Sequence, residues 1–127
     1  VNKMKSVAKK DKLNLDIIQR DFFDLIDEYK NKFDYVVEYT FYCAIDPQNR
    51  DKYIDTMHSL LNDNGFLVGL FLPLKKDISE GGPPFAVREK EIEERFSKKF
   101  DLFDSYMHSL SIDARKENEK YFIFKKK

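Results

Sequence analysis

The longest unbroken apolar run in the chain is Phe66-Leu67-Val68-Gly69-Leu70-Phe71-Leu72, and Pro73 stops it. A short run of this kind suits the middle of a parallel sheet, where helices cover both faces. It predicts a central strand over Phe66–Leu72, buried on both sides. Upstream, Tyr53, Met57, Leu60 and Leu61 recur at i, i+4, i+7 and i+8, one apolar face of a helix. Asp46-Pro47 opens that helix, because Asp accepts a free backbone N–H and Pro suits the first helical position. Asn64-Gly65 ends it, with Gly as the left-handed cap. Phe33–Tyr39 is rich in β-branched and aromatic residues and predicts another strand. Leu13–Ile18 alternates and then runs apolar, which predicts a third, and Asp21–Leu25 follows as a turn. Residues 2–12 are lysine-rich, with Met4, Val7 and Ala8 at helical spacing, the end of an amphipathic helix. Residues 75–84 read as a loop. Arg88–Lys99 is a charged helix with Ile92 and Phe96 turned inward. Phe100–Leu110 and Lys120–Phe124 are closing strands, joined by the polar stretch Asp113–Glu119. This order predicts an α/β layered sheet.

Length adds one constraint: 127 residues predict one domain with a real core. Charge removes two classes of partner. The 23 Lys+Arg balance the 23 Asp+Glu, so no whole-chain field draws in nucleic acid or an anionic membrane. No apolar run reaches the ~18 residues that span a bilayer, and the first residues show no signal-peptide pattern. The single Cys43 allows no internal disulfide, which fits a reducing, cytoplasmic compartment. The first residue is Val1, not Met, which makes it a possible cut point.

Two segments stand where open α/β sheets bind ligands, past the carboxyl ends of strands. At Asp21-Phe22 the acid can accept a hydrogen bond from an exocyclic amine such as that of adenine, and the ring can pack on a base. Equally, Asp21 can cap the next turn and Phe22 can be core. At Glu38–Cys43 the Tyr39 hydroxyl can bond a ligand, or the residue can be a half-buried strand end. Cys43 reads as buried structure, since no base stands near it. Gly81-Gly82-Pro83-Pro84-Phe85 is either a stiff lid with an aromatic tip or a plain connector. His58 and His108 are scattered, and no Cys/His spacing suggests a metal. No Gly-x-Gly-x-x-Gly or phosphate loop is present.

Phe33 to Pro47 (FDYVVEYTFYCAIDP) resembles the fourth-strand region of the thiopurine/thiol S-methyltransferase family, and is most similar to its halide and thiol branch. GGPPFAV (81–87) followed by EIEERF (91–96) is similar to that family's loop and helix after strand five. SIDAR (111–115) and YFIF (121–124) are similar to its last strands. The resemblance implies a Rossmann-like class I methyltransferase sheet. It further implies that 1–127 is the C-terminal portion of one such domain, without the first two strands and their glycine-rich turn.

It also implies S-adenosylmethionine as cofactor and an S-methyltransferase acting on a small soft nucleophile: a thiol, sulfide, halide or thiopurine-like compound. On this match Asp21, Phe22 and Tyr39 are cofactor-binding, and Tyr39 is also the catalytic candidate, orienting the acceptor. Gly82, Pro83, Pro84 and Phe85 are substrate-binding. Two further readings are kept. One is a non-catalytic fragment that assembles with a complementary half, supplied by an upstream segment or a second chain. The other is a class I methyltransferase for oxygen or nitrogen. Were the first two strands absent, the segment at 13–18 would have no neighbour to pair with.

Overall fold

The computed structural model describes residues 1–127. Four strands form one sheet in the order β1-β2-β4-β3. They are β1 (Phe33–Tyr39), β2 (Leu61–Phe71), β3 (Phe100–Tyr106) and β4 (Lys120–Lys126). The helices are α1 (Asn2–Lys10), α2 (Ile26–Tyr29), α3 (Arg50–Leu60) and α4 (Glu89–Phe96), with short 3-10 turns at 22–24, 47–49, 78–80 and 113–115. β1 and β2 are parallel, with α3 as the crossover between them; β4 is antiparallel to both β2 and β3.

The core lies between one face of the sheet and α3 with α4. Alternation sends Leu67 and Phe71 of β2 and Phe122 and Phe124 of β4 to that face, where they meet Tyr53 and Ile54 of α3 and Ile92 and Phe96 of α4. Phe96 and Phe124 stack with centroids 4.5 Å apart. The helical readings around Tyr53, Ile92 and Phe96 therefore hold, each within a few residues.

Three expectations are corrected. Leu13–Ile18 is not a strand: no backbone–backbone hydrogen bond involves residues 14–20, and Leu13, Leu15 and Ile18 are exposed. An extended segment becomes a strand only by pairing, and no neighbour in this chain reaches it. Second, Asn64-Gly65 does not cap the helix. The helix ends at Leu60, and Leu61 already pairs with Phe33. Residues 62–65 then bulge within β2 before the register resumes at Tyr35–Phe66, and Asn64, not Gly65, takes the positive φ of 65°. Leu61 is fully buried in the core, and burying it there ends the helix sooner than the glycine signal predicts. Third, Phe66–Phe71 is central but buried on one face only. On the other face Tyr35 is 65% exposed and Val37 78% exposed, because no element of this chain covers them. There Tyr35, Phe66 and Phe103 form an open aromatic row.

Candidate functional site

β1 and β2 run in the same direction, so Tyr39 and Phe71 end on one rim of the sheet. The turn after β1 is fastened by Glu38, an acid buried on the helix-covered face at 3% exposure. Its carboxylate accepts from the backbone N–H of Phe41 and of Tyr42, both at 3.0 Å, and from the Tyr53 hydroxyl at 2.5 Å. Burial raises its pKa, and the three donors only partly offset that. Thr40, a β-branched residue, is held at φ 67° in this turn, a strained conformation that the surrounding bonds must impose.

With Glu38 inward, Tyr39 points to the opposite face. There an open hollow of about 330 Å³ is lined by Tyr39, Leu70 and Tyr121 from the sheet, and by His108, Leu110, Ser111, Ile112 and Glu119 from the chain between β3 and β4. The Tyr39 hydroxyl donates to Glu119 at 3.2 Å and accepts from Arg115, whose guanidinium lies 5.2 Å from the Tyr39 ring centre. Ser111 donates to Glu119 at 2.7 Å. Arg115 forms no ion pair. The rim thus offers a fixed phenol, an unpaired cation and apolar walls.

Asp21 spends one carboxylate oxygen on the Phe23 N–H at 2.9 Å, capping its turn. Phe22 packs on Phe41 and Tyr53, with centroids 5.0 and 5.6 Å away. Both therefore stand beside the β1 turn. The Gly82–Phe85 segment reaches the same turn: the Phe85 N–H donates to the Cys43 carbonyl at 2.7 Å. Gly81 has φ 69°, and a Cβ on Gly82 would lie 2.6 Å from the Phe85 nitrogen, so this backbone requires both glycines. Phe85, however, lines a different hollow, with Pro47, Arg50, Ile78 and Arg88. The structure brings the loop to the Tyr39–Cys43 segment but does not place Phe85 and Tyr39 in one pocket. Cys43 is buried, and burial pushes its thiol pKa up, against a nucleophilic role.

Sequence reasoning passed over Glu119, Ser111 and Arg115 as site residues. Glu119 carried a faint signal, an acid directly before an apolar strand; Ser111 and Arg115 carried only the family resemblance.

The family model described as Thiopurine S-methyltransferase (TPMT) matches residues 1–127. The chain belongs to that family. Among relatives, it is 34% identical over 110 residues to "Probable thiol methyltransferase 2" of Arabidopsis thaliana, covering 86% of this chain and 47% of that protein. It is 37% identical over 62 residues to "Thiocyanate methyltransferase 1" of the same plant, covering 49% of this chain and 26% of that one. This TPMT-family chain thus spans about half the length, or less, of the plant relatives it matches. Its fold is also that of a 1,6-didemethyltoxoflavin-N1-methyltransferase from Burkholderia thailandensis, solved with S-adenosylhomocysteine (TM-score 0.74, 14% identity, 97% of this chain and 56% of that one). A Pyrococcus horikoshii protein aligns at TM-score 0.76 and 14% identity, over 99% of this chain and 66% of its own. The sheet is therefore part of the Rossmann-like class I methyltransferase fold.

Proposed function

We propose that the polypeptide carrying this chain transfers a methyl group from S-adenosylmethionine to a small soft nucleophile, such as a thiol, sulfide, halide or thiocyanate. The observation that carries the reading is family membership together with 34% identity to a plant thiol methyltransferase. The rim agrees with it in chemistry. Arg115, a guanidinium with no carboxylate in direct contact, suits an acceptor that reacts as an anion, and the half-apolar hollow beside it desolvates such an anion.

The residues present fit one side of the cofactor. The second carboxylate oxygen of Asp21 has no partner, so Asp21 and Phe22 are proposed to border the adenine and Tyr39 the methyl end. S-adenosylmethionine supplies the methyl group and its electrophilic carbon. This chain's residues hold the acceptor in line and exclude water from it; a thiolate or halide needs no strong base. Gly82, Pro83, Pro84 and Phe85 close the neighbouring side of the rim.

We further propose that more polypeptide completes the sheet next to this part. An open hollow of about 940 Å³ separates α1 and the unpaired 13–18 segment from Phe33 at the start of β1. It is lined mostly by apolar side chains and bordered by backbone that makes no ladder, the surface that further strands would cover. The alternative, a non-catalytic half that serves only in assembly, is favoured by the same surface. One assay separates them. The full polypeptide is given S-adenosylmethionine with hydrosulfide, an aromatic thiol, iodide or thiocyanate. Methylated product and S-adenosylhomocysteine are expected; no transfer to any of the four together with no cofactor binding would support the assembly role.

A further inference from the structure

Glu119 is 3% exposed, stands one residue before β4, and lines the Tyr39 hollow. It forms no ion pair, and a lone buried carboxylate is costly unless its charge is compensated. Its oxygens are divided between two hydroxyls from distant parts of the chain: Oε2 accepts from Tyr39 and Oε1 from Ser111. Positive charge arrives one residue removed, because Arg115 donates to the same Tyr39 oxygen. Arginine can only donate, a carboxylate can only accept, and a phenol has one proton. The Tyr39 proton is therefore committed to Glu119 and a lone pair to Arg115. Tyr39 keeps no proton for an acceptor molecule.

The backbone at this corner is held without the Glu119 side chain. The Asn118 carbonyl accepts the Leu74 N–H at 2.9 Å, and its side-chain oxygen accepts the Lys75 N–H at 2.7 Å. The Glu119 carboxylate is thus not needed to locate its own strand. What it does is tie Tyr39, on the sheet, and Ser111, on the β3–β4 connection, to one point.

We propose that Glu119 is a positioning residue for the acceptor side of the methyl transfer, acting through Tyr39 and Ser111; this rests on the function proposed above. By holding both hydroxyls it keeps the 107–116 segment against the sheet and gives the hollow its shape.

The test uses the full polypeptide, with Glu119→Ala and Glu119→Gln. The amide can still accept from Tyr39 and can donate to Ser111, so Glu119→Gln keeps both contacts and removes only the charge. Glu119→Ala is expected to raise KM for hydrosulfide about tenfold or more, the size of a lost hydrogen bond to a charged group. S-adenosylhomocysteine affinity, by calorimetry, should change less than about twofold, and Glu119→Gln should stay near the parent. Hydrogen exchange at the amides of Ser111, Arg115 and Lys116 should quicken in Glu119→Ala alone, with β4 amides unchanged.

An unaltered KM in a folded Glu119→Ala protein overturns the proposal, as does cofactor affinity falling in step with KM. If the parent protein methylates no soft nucleophile, the functional reading fails by itself. The exchange arm then still decides Glu119, and unchanged exchange sinks it. Should Glu119→Ala not fold, Ser111→Ala removes one contact only and must quicken the same amides, or the proposal is wrong.

Discussion

Three donors surround the Glu38 carboxylate, and burial still outweighs them, so it titrates above its usual value of 4.5. A carboxyl raised in the fold contributes stability that is fully present below the unfolded value and is lost as pH rises through the folded one. Above pH 4.5, acidification should therefore stabilise the protein through Glu38. Glu38→Gln should remove that part of the pH dependence; urea unfolding of both proteins across the range checks it, and identical slopes would contradict it. His58 acts in the opposite sense, because burial against Phe100 lowers its pKa. Its contribution is present above 6.5 and fades as pH falls. At Tyr39 the hydroxyl bridges Glu119 and Arg115. Tyr39→Phe in the full polypeptide is expected to cost about 1–3 kcal/mol at the barrier with a thiol, with cofactor affinity little changed. Unchanged steady-state kinetics would reduce Tyr39 to packing.

Among the elements, α4 is fixed by two side chains. Ile92 and Phe96 are both fully buried, and Phe96 is packed among Tyr42, Tyr53, Phe71, Phe100 and Phe124. Phe96→Ala should cost about 3–5 kcal/mol of stability, read from the denaturation midpoint, because a ring-sized cavity in the centre of that cluster has little freedom to collapse. The Gly81–Phe85 connection responds to smaller changes. Gly82→Ala sets a methyl 2.6 Å from the Phe85 nitrogen, so the segment must shift and the Phe85–Cys43 hydrogen bond must weaken. Calorimetric melting should show a modest loss, far below that of Phe96→Ala; the reverse order would mean that the loop, not α4, anchors this side of the sheet.

At the scale of the whole molecule, one sheet face is dressed by α3 and α4, and the other is bare except where the β3–β4 connection lies against its Tyr39 end. Val37, 78% exposed, lies on the uncovered part of that face, on the edge strand β1. If further polypeptide covers that face, Val37→Lys is nearly neutral in the isolated chain, within about 0.5 kcal/mol, and strongly destabilising in the full protein. Equal effects in both, by urea titration, would show that nothing docks there. The isolated residues 1–127 should likewise bind S-adenosylmethionine weakly, since they contain no glycine-rich turn. Submicromolar affinity by calorimetry would show a complete cofactor site within this chain.

Local pattern alone determined β1, α3, the 66–71 strand and α4, because which side of an element turns inward is written in its own period. The motifs around Phe33–Pro47 and Gly81–Val87 determined the family. Whether an extended segment pairs depends on a neighbour elsewhere, so Leu13–Ile18, strand-like in sequence, stays unpaired. Where a helix stops depends on which residue finds the core, so Leu61 overrode Asn64-Gly65. The Tyr39–Glu119–Arg115 cluster was legible only in part, as a tyrosine at a strand end. Its members stand up to 80 positions apart, and only the antiparallel return of β4 beside β2 sets Glu119 and Tyr121 on the rim where Tyr39 ends.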